Sequence, residues 1–159
     1  MTEKEFENSL KKAFFDSDDL VFRAFQSAGG GCLISFIGGE NNKILLEQDV
    51  IRPLLSAEIP PTYENLENII ACAENPEYVT LSDCANKIAD GNIIFFISET
   101  DKARILNIKQ FEKRSIQEPP TSSVLKGPRE GFIEDLKTNV TLIRRRLKTP
   151  ALTVKTISA

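Results

Sequence analysis

The 159-residue chain contains no histidine, no tryptophan and a single methionine. Without histidine it cannot assemble a Ser-His-Asp triad, a His-ligated zinc site or an imidazole acid–base pair. Its three cysteines, Cys32, Cys72 and Cys84, are odd in number and lack CxxC spacing, so they read as buried, reduced thiols of a cytosolic protein. No apolar run approaches the ~20 residues of a membrane-spanning helix. The start, Met1-Thr-Glu-Lys-Glu, has neither the basic region nor the apolar stretch of a signal peptide. The expectation is a soluble chain that stays where it is made. Hydrophobic residues at 41% and charged residues at 27% fit one globular domain.

The charge is small in sum but uneven along the chain. Of 20 Lys+Arg and 23 Asp+Glu, residues 126–159 hold 8 basic and 3 acidic, a balance of +5. The remaining 12 basic and 20 acidic residues leave residues 1–125 at −8. A basic C-terminal segment looks toward something acidic, and the rest of the same molecule is the first candidate.

Hydrophobic spacing predicts a helix over residues 3–15, broken by Asp16-Ser-Asp-Asp. Leu20–Phe25 and Gly31–Ile37 read as strands, joined through Gln26-Ser-Ala-Gly-Gly-Gly as a hairpin. Ile44–Leu55 has helical spacing around Pro53. Tyr63–Ala73 reads as a helix with Thr62 at its N-cap, and Leu81–Ala89 as another stopped by Gly91. Asn92–Ile97, apolar without a break, and Lys102–Ile108 are further strands, the first covered on both faces. The expected class is α/β (α+β): a small mixed β-sheet with packed helices, then one long C-terminal helix after an extended linker. Residues 1–114 form the lobe, and Pro-rich 115–128 forms the linker. Residues 129–159 form the long helix, over 129–148, plus a terminal strand from Leu152.

Most motif matches along the chain have plain structural readings. Gly29-Gly-Gly leads into a strand without a following Gly-Lys-Ser/Thr, so it fits neither phosphate-binding fingerprint and reads as a hairpin loop. Ser123-Val-Leu-Lys126 satisfies the Ser–Lys hydrolase spacing, but it lies in the linker without companion elements. Asn139-Val-Thr falls mid-helix and matters as a sequon only in a secreted protein. No cofactor or metal motif is present. Gly127 at N-cap, Pro128 at N1 and Glu130 at N3 make a well-formed helix start. Lys126 and Arg129 could help it hold an anion, although Glu130, Glu134 and Asp135 already offset the dipole. Ile133, Leu136, Val140, Ile143 and Leu147 form one apolar stripe, with Phe132 at its edge. Arg145 points away from that stripe; Arg144 and Arg146 flank it. Two readings stay open for the stretch: a core-packed helix with a solvated basic last turn, or a face that docks a partner or membrane surface. Three arginines without interleaved aromatics in an acidic protein argue against nucleic acid.

Three segments carry a resemblance. They are Lys113-Arg114-Ser-Ile-Gln-Glu118-Pro119, then Leu125-Lys-Gly127-Pro128-Arg129-Glu130-Gly131-Phe132-Ile-Glu134, then Thr138-Asn139-Val-Thr-Leu-Ile-Arg144-Arg145-Arg146-Leu with Leu152 beyond. Together they closely resemble the A subunit of bacterial spore germinant receptors, the GerA-type family. Ile51-Arg-Pro-Leu and the Asp90-Gly91 turn match weaker upstream features, and Lys126 stands where the family pattern has arginine. The resemblance implies a non-catalytic, soluble N-terminal domain on the cytosolic face of the spore inner membrane, ahead of a multi-pass membrane region. It implies as partners a second soluble lobe following this one, the membrane region of the same subunit and receptor B and C subunits. A small nutrient germinant is a further possible ligand, bound between lobes. Signal transmission by packing is the leading expectation; germinant binding and a Ser123–Lys126 hydrolase are the alternatives.

Overall fold

The computed structural model describes residues 1–39, 43–70, 76–108 and 135–157. Helix α1 (Glu3–Ala13) begins with a reciprocal capping box. The Thr2 hydroxyl accepts from the Glu5 backbone N–H at 3.3 Å, and the Glu5 carboxylate accepts from the Thr2 N–H at 2.8 Å. Strands β1 (Leu20–Ser27) and β2 (Gly30–Ile37) form the expected hairpin. Its two-residue turn has Ala28 and Gly29 at φ 44° and 87°, the pair of positive values that matches a turn to the twist of two strands.

Helix α2 (Lys43–Leu46), a π-helical stretch over Glu47–Ile51 and helix α3 (Arg52–Leu55) occupy the segment read as helical. Pro53 explains the widening. It has no N–H to give the preceding turn, and its ring would strike the carbonyl four residues back in a regular α-helix. The Arg52 N–H accordingly reaches the Glu47 carbonyl.

The helix expected over Tyr63–Ala73 is shorter than its spacing suggests. Only α4 (Leu66–Ile69) forms, and Ile70 turns extended at ψ 140°; residues 71–75, with Cys72, lie outside the described residues. Strand β3 (Glu77–Thr80), which the sequence did not mark, follows. Helix α5 (Cys84–Ala89), β4 (Ile93–Ile97) and β5 (Lys102–Leu106) lie where the apolar pattern put them.

The sheet order is β1-β2-β4-β5-β3. Every pairing is antiparallel, which corrects the expected mixed sheet while leaving the α/β architecture intact. Short connections impose the direction for β1–β2 and β4–β5, since a two- to four-residue link permits only antiparallel neighbours. Successive side chains of the central strands point to opposite faces, and both faces are covered. Leu33, Ile94 and Phe96 pack with Phe6, Leu10 and Phe14 of the α1 side and with Ile88 of α5. Cys32, Ile34, Phe95 and Ile97 pack with Leu46, Val50, Leu54 and Leu66 on the other side.

Two expectations about the C-terminal part need correction. Helix α6 spans Leu136–Leu147, with extended Asp135 as its N-cap, so no single helix runs over 129–148. The Asp135 carboxylate caps the helix by accepting from the N–H groups of Lys137 and Thr138, each at 3.2 Å; the start expected at Gly127-Pro128 lies outside the described residues. Residues 152–157 form no strand and join no sheet. Their backbone partners lie on the corner after α1 instead of on a strand edge.

Candidate interaction site

That corner, Asp16-Ser17-Asp18-Asp19, is shaped by the end of α1. Phe15 and Asp16 are both left-handed, at φ 52° and 53°. The Asp16 N–H bonds back to the Lys11 carbonyl at 2.8 Å, so the chain doubles sharply out of the helix. Non-glycine residues adopt this conformation only where their surroundings enforce it. The corner that this turn presents is bonded from the other end of the sequence.

Arg144 of α6 is 1% exposed. Its guanidinium grips Asp19 with both arms of the fork, Nε on Oδ2 at 2.8 Å and Nη2 on Oδ1 at 2.8 Å. Nη2 also donates to Ser17 Oγ at 3.0 Å, and Nη1 to the Thr149 carbonyl at 3.3 Å. The plane lies over the ring of buried Phe14, with Cζ 5.6 Å from the centroid. Bidentate, charge-assisted pairing of this kind is the strong form of an ion pair. Ser17 is the hub: its hydroxyl donates to Asp19 Oδ1 at 2.7 Å while accepting from Arg144 and from the Val154 N–H at 2.7 Å. Burial disfavours ionised Asp19, but the hydrogen bonds from Arg144 and Ser17 outweigh it and hold the carboxyl below its ordinary value.

The segment beyond α6 is strapped to the same corner. The Asp18 N–H donates to the Val154 carbonyl at 2.9 Å, and the Asp18 carboxylate accepts from the Thr156 N–H at 2.6 Å. Lys155 Nζ donates to the Asp16 carbonyl and lies 3.8 Å from Asp18. Thr141, also buried, faces Gly39, which sits at φ 96°. A Cβ on Gly39 would come 2.8 Å from Thr141 Oγ1. Glycine is therefore required there both for its backbone and for the approach of α6. Opposite charges separated by more than 120 residues meet as the +5 and −8 balance of the two parts anticipated.

The expected site residues fare unequally. Arg144 is buried in this clasp, which overturns its placement in a solvated basic turn; pairing with Asp19 draws it inward. Arg145 and Arg146 are exposed, and Asn139 is half-buried, so the four are not gathered into one patch. Arg114, Glu118, Pro119, Gly127, Pro128, Arg129, Glu130, Gly131, Phe132 and Glu134 lie outside the described residues, as do Ser123 and Lys126 and the linker itself. The expected core stripe is also overturned. Leu136 is 69% and Leu147 55% exposed, because the paired Arg144 and Thr141 turn a different face of α6 to the lobe. Sequence reading took Asp16–Asp19 only as a helix breaker. The signal it passed over was three carboxylates in four residues facing a strongly basic segment.

The family model described as Bacillus/Clostridium GerA spore germination protein matches residues 8–159. The chain belongs to the GerA family. This is the family that residues 113–152 resemble. Among GerA-family relatives, spore germination protein KA of Bacillus subtilis (strain 168) is 46% identical over 152 residues, covering 91% of this chain and 28% of that protein. The uncharacterized membrane protein YfkQ of the same organism is 36% identical over 135 residues, covering 82% of this chain and 26% of that protein. The chain thus spans little more than a quarter of these relatives. The crystal structure of the N-terminal domain of the A subunit of the Bacillus megaterium spore germinant receptor GerK3 has the same fold. It superposes with a TM-score of 0.66 at 17% identity, over 98% of this chain and 58% of that one. Among the described residues no helix is long and apolar enough to cross a membrane.

Proposed function

We propose that this GerA-family chain is a lobe of the N-terminal domain of a germinant receptor A subunit, and that it passes a germination signal by packing, without catalysis. The observation that carries this reading is the buried Arg144–Asp19–Ser17 clasp. It ties the chain leaving the lobe to the corner between α1 and β1, so movement of one must be felt by the other. A network with a partner at every guanidinium nitrogen of Arg144 has few half-broken states, which is what a two-position coupling element needs. The names of the relatives support a role in spore germination, and the absence of histidine agrees with a non-enzymatic one. The lobe would stand on the cytosolic face of the inner membrane beside the subunit's membrane region and the receptor's B and C subunits. Asn139, Arg145 and Arg146 would contribute its docking surface.

Arg144→Lys and Arg145→Glu, placed in the natural gene, test the reading. Arg144→Lys keeps the charge but loses the fork, and Arg145→Glu reverses an exposed charge. The expected result is nutrient-triggered germination slowed at least about tenfold when compared at matched receptor abundance. Normal germination at normal abundance in both would overturn it.

A further inference from the structure

The sheet ends in two edges of unequal length, β3 with four residues and β1 with eight. Strand β1 keeps unbroken register with β2 from Leu20 to Ser27 and contains no proline. The Gly38 N–H donates to the Asp19 carbonyl at 2.8 Å. That bond fixes the alternation along the pair, so the odd-numbered residues of β1 exchange bonds with β2. Leu20, Phe22, Ala24 and Gln26 turn their backbone groups the other way. The Leu20 N–H is taken by the Ser17 carbonyl at 3.3 Å. The backbone N–H and C=O groups of Phe22, Ala24 and Gln26 have no hydrogen-bond partner among the described residues. Arg23, Ala24 and Gln26 are exposed, and Phe22 and Phe25 are half-buried. A regular row of free donors and acceptors is a template for another strand, which folded proteins otherwise block with charge, proline or a bulge. Arg23 is the one charge on this strand.

The helix beside the edge indicates which strand fits. Glu3, Glu7 and Lys11 share one face of α1 at four-residue spacing. The Glu3 carboxylate accepts from Gln26 Nε2 at 3.1 Å, and Lys11 Nζ stands 5.5 Å from the Phe22 ring centroid. The acidic end of α1 therefore lies beside Gln26 and its basic end beside Phe22. A two-fold axis at Ala24 sets Phe22 of each copy opposite Gln26 of the other. Each acidic helix end then borders the other copy's basic end. This register engages all three outward residues and sets Arg23 opposite Phe25. An axis at Arg23 would instead set two arginines directly opposite, which is unfavourable.

We propose that the free edge of β1 pairs antiparallel with the same edge of a second copy of this chain, Ala24 against Ala24. The two five-stranded sheets then join into one through an isologous contact, the same patch on both copies. This surface is separate from the Arg144 clasp, and its test is independent of the signalling role.

Ala24→Cys and the exposed control Asp101→Cys are introduced separately into the natural gene product, which is purified in detergent without other proteins. A short bis-maleimide is added and the cross-linked peptides are read by mass spectrometry. Buried Cys32 and Cys84 stay unmodified while the protein is folded. Opposed residues of a hydrogen-bonded pair have Cα atoms about 5.5 Å apart, so links joining position 24 of both copies should form at least about tenfold faster than links joining position 101. In an equal mixture of Phe22→Cys and Gln26→Cys proteins, links from position 22 to position 26 should form to the near exclusion of links between like positions. Equal rates at positions 24 and 101 would overturn the proposal. Links between like positions in the mixture would overturn it too, since they require parallel strands. Links from position 24 to a different protein in native membranes, with none between copies of the purified product, would likewise overturn it and give the edge to that protein's strand.

Discussion

Two arginines are buried among the described residues, and they are buried differently. Arg104 on β5 is 2% exposed and Arg144 on α6 is 1% exposed. Arg144 has partners at Nε, Nη1 and Nη2, reaching Asp19, Ser17 and Thr149 across the length of the sequence. Arg104 pairs through Nη1 with Glu67, while its Nε has no hydrogen-bond partner among the described residues. It sits opposite Phe95 and Tyr78 in the sheet, where an apolar side chain would pack. Burial alone holds its pKa below the ordinary arginine value. A buried charge adds specificity only when its donors are used; otherwise its desolvation is a cost. Arg144 locks two chain segments together, and Arg104 mostly fills space.

Removing the guanidinium of Arg144 should have the largest effect. Arg144→Ala strands Asp19 and Ser17 in a buried corner, and such losses cost about 3–5 kcal/mol. A domain with about 5–15 kcal/mol in total would be badly depleted. Arg144→Lys should recover only part of the loss, since an ammonium cannot make the fork. Urea denaturation of the 159-residue chain checks both. A change below about 1 kcal/mol for Arg144→Ala would erase the distinction between the two arginines.

The clasp should also show in the pH dependence of stability. Asp19 has a folded-state pKa below its ordinary 3.8, so the folded state binds the proton less readily than the unfolded one. Its stabilisation is fully present above the ordinary carboxylate range and is lost as pH falls through the lower, folded value. Asp19→Asn should lower stability at neutral pH and flatten that acid limb. A stability–pH curve that keeps the same acid slope in the variant would remove Asp19 from the account.

Arg104→Met should change stability by no more than about 1 kcal/mol. Glu67 is a third exposed and can rehydrate, and the buried site gains an apolar side chain for an under-paired charge. A loss of about 3 kcal/mol or more, similar to the loss expected at Arg144, would mean that the two burials are equivalent after all.

How legible these features were follows from where the information lies. Strands β1, β2, β4 and β5 announced themselves because each is a dense apolar run bounded by glycine, asparagine or aspartate. Strand β3 did not: Glu77-Tyr-Val-Thr is four residues at a sheet edge, too short to show alternation. The start of α6 at Asp135 was missed because its capping hydrogen bonds to Lys137 and Thr138 show only in the folded turn. The stripe on α6 was plain in the spacing, but spacing cannot say which face meets the lobe. That choice is made by Asp19, 125 positions away, and no local pattern encodes a partner at that distance. The charge imbalance pointed toward such pairing without naming the residues.

The smallest expected effect separates the two faces of α6. Had the apolar stripe been the core contact, Leu136→Ala would leave a cavity and cost about 2–5 kcal/mol. In the structure Leu136 is largely exposed, so truncation removes little buried surface, and alanine is the better helix former. In the 159-residue chain Leu136→Ala should shift stability by no more than about 0.5 kcal/mol, read from the urea midpoint beside Arg144→Ala. The two positions lie two turns apart on one helix, so the contrast is free of differences in helix propensity at distant sites. A loss near that of Arg144→Ala would mean that α6 packs by its leucines, and that its arginine face is not what holds it to the lobe.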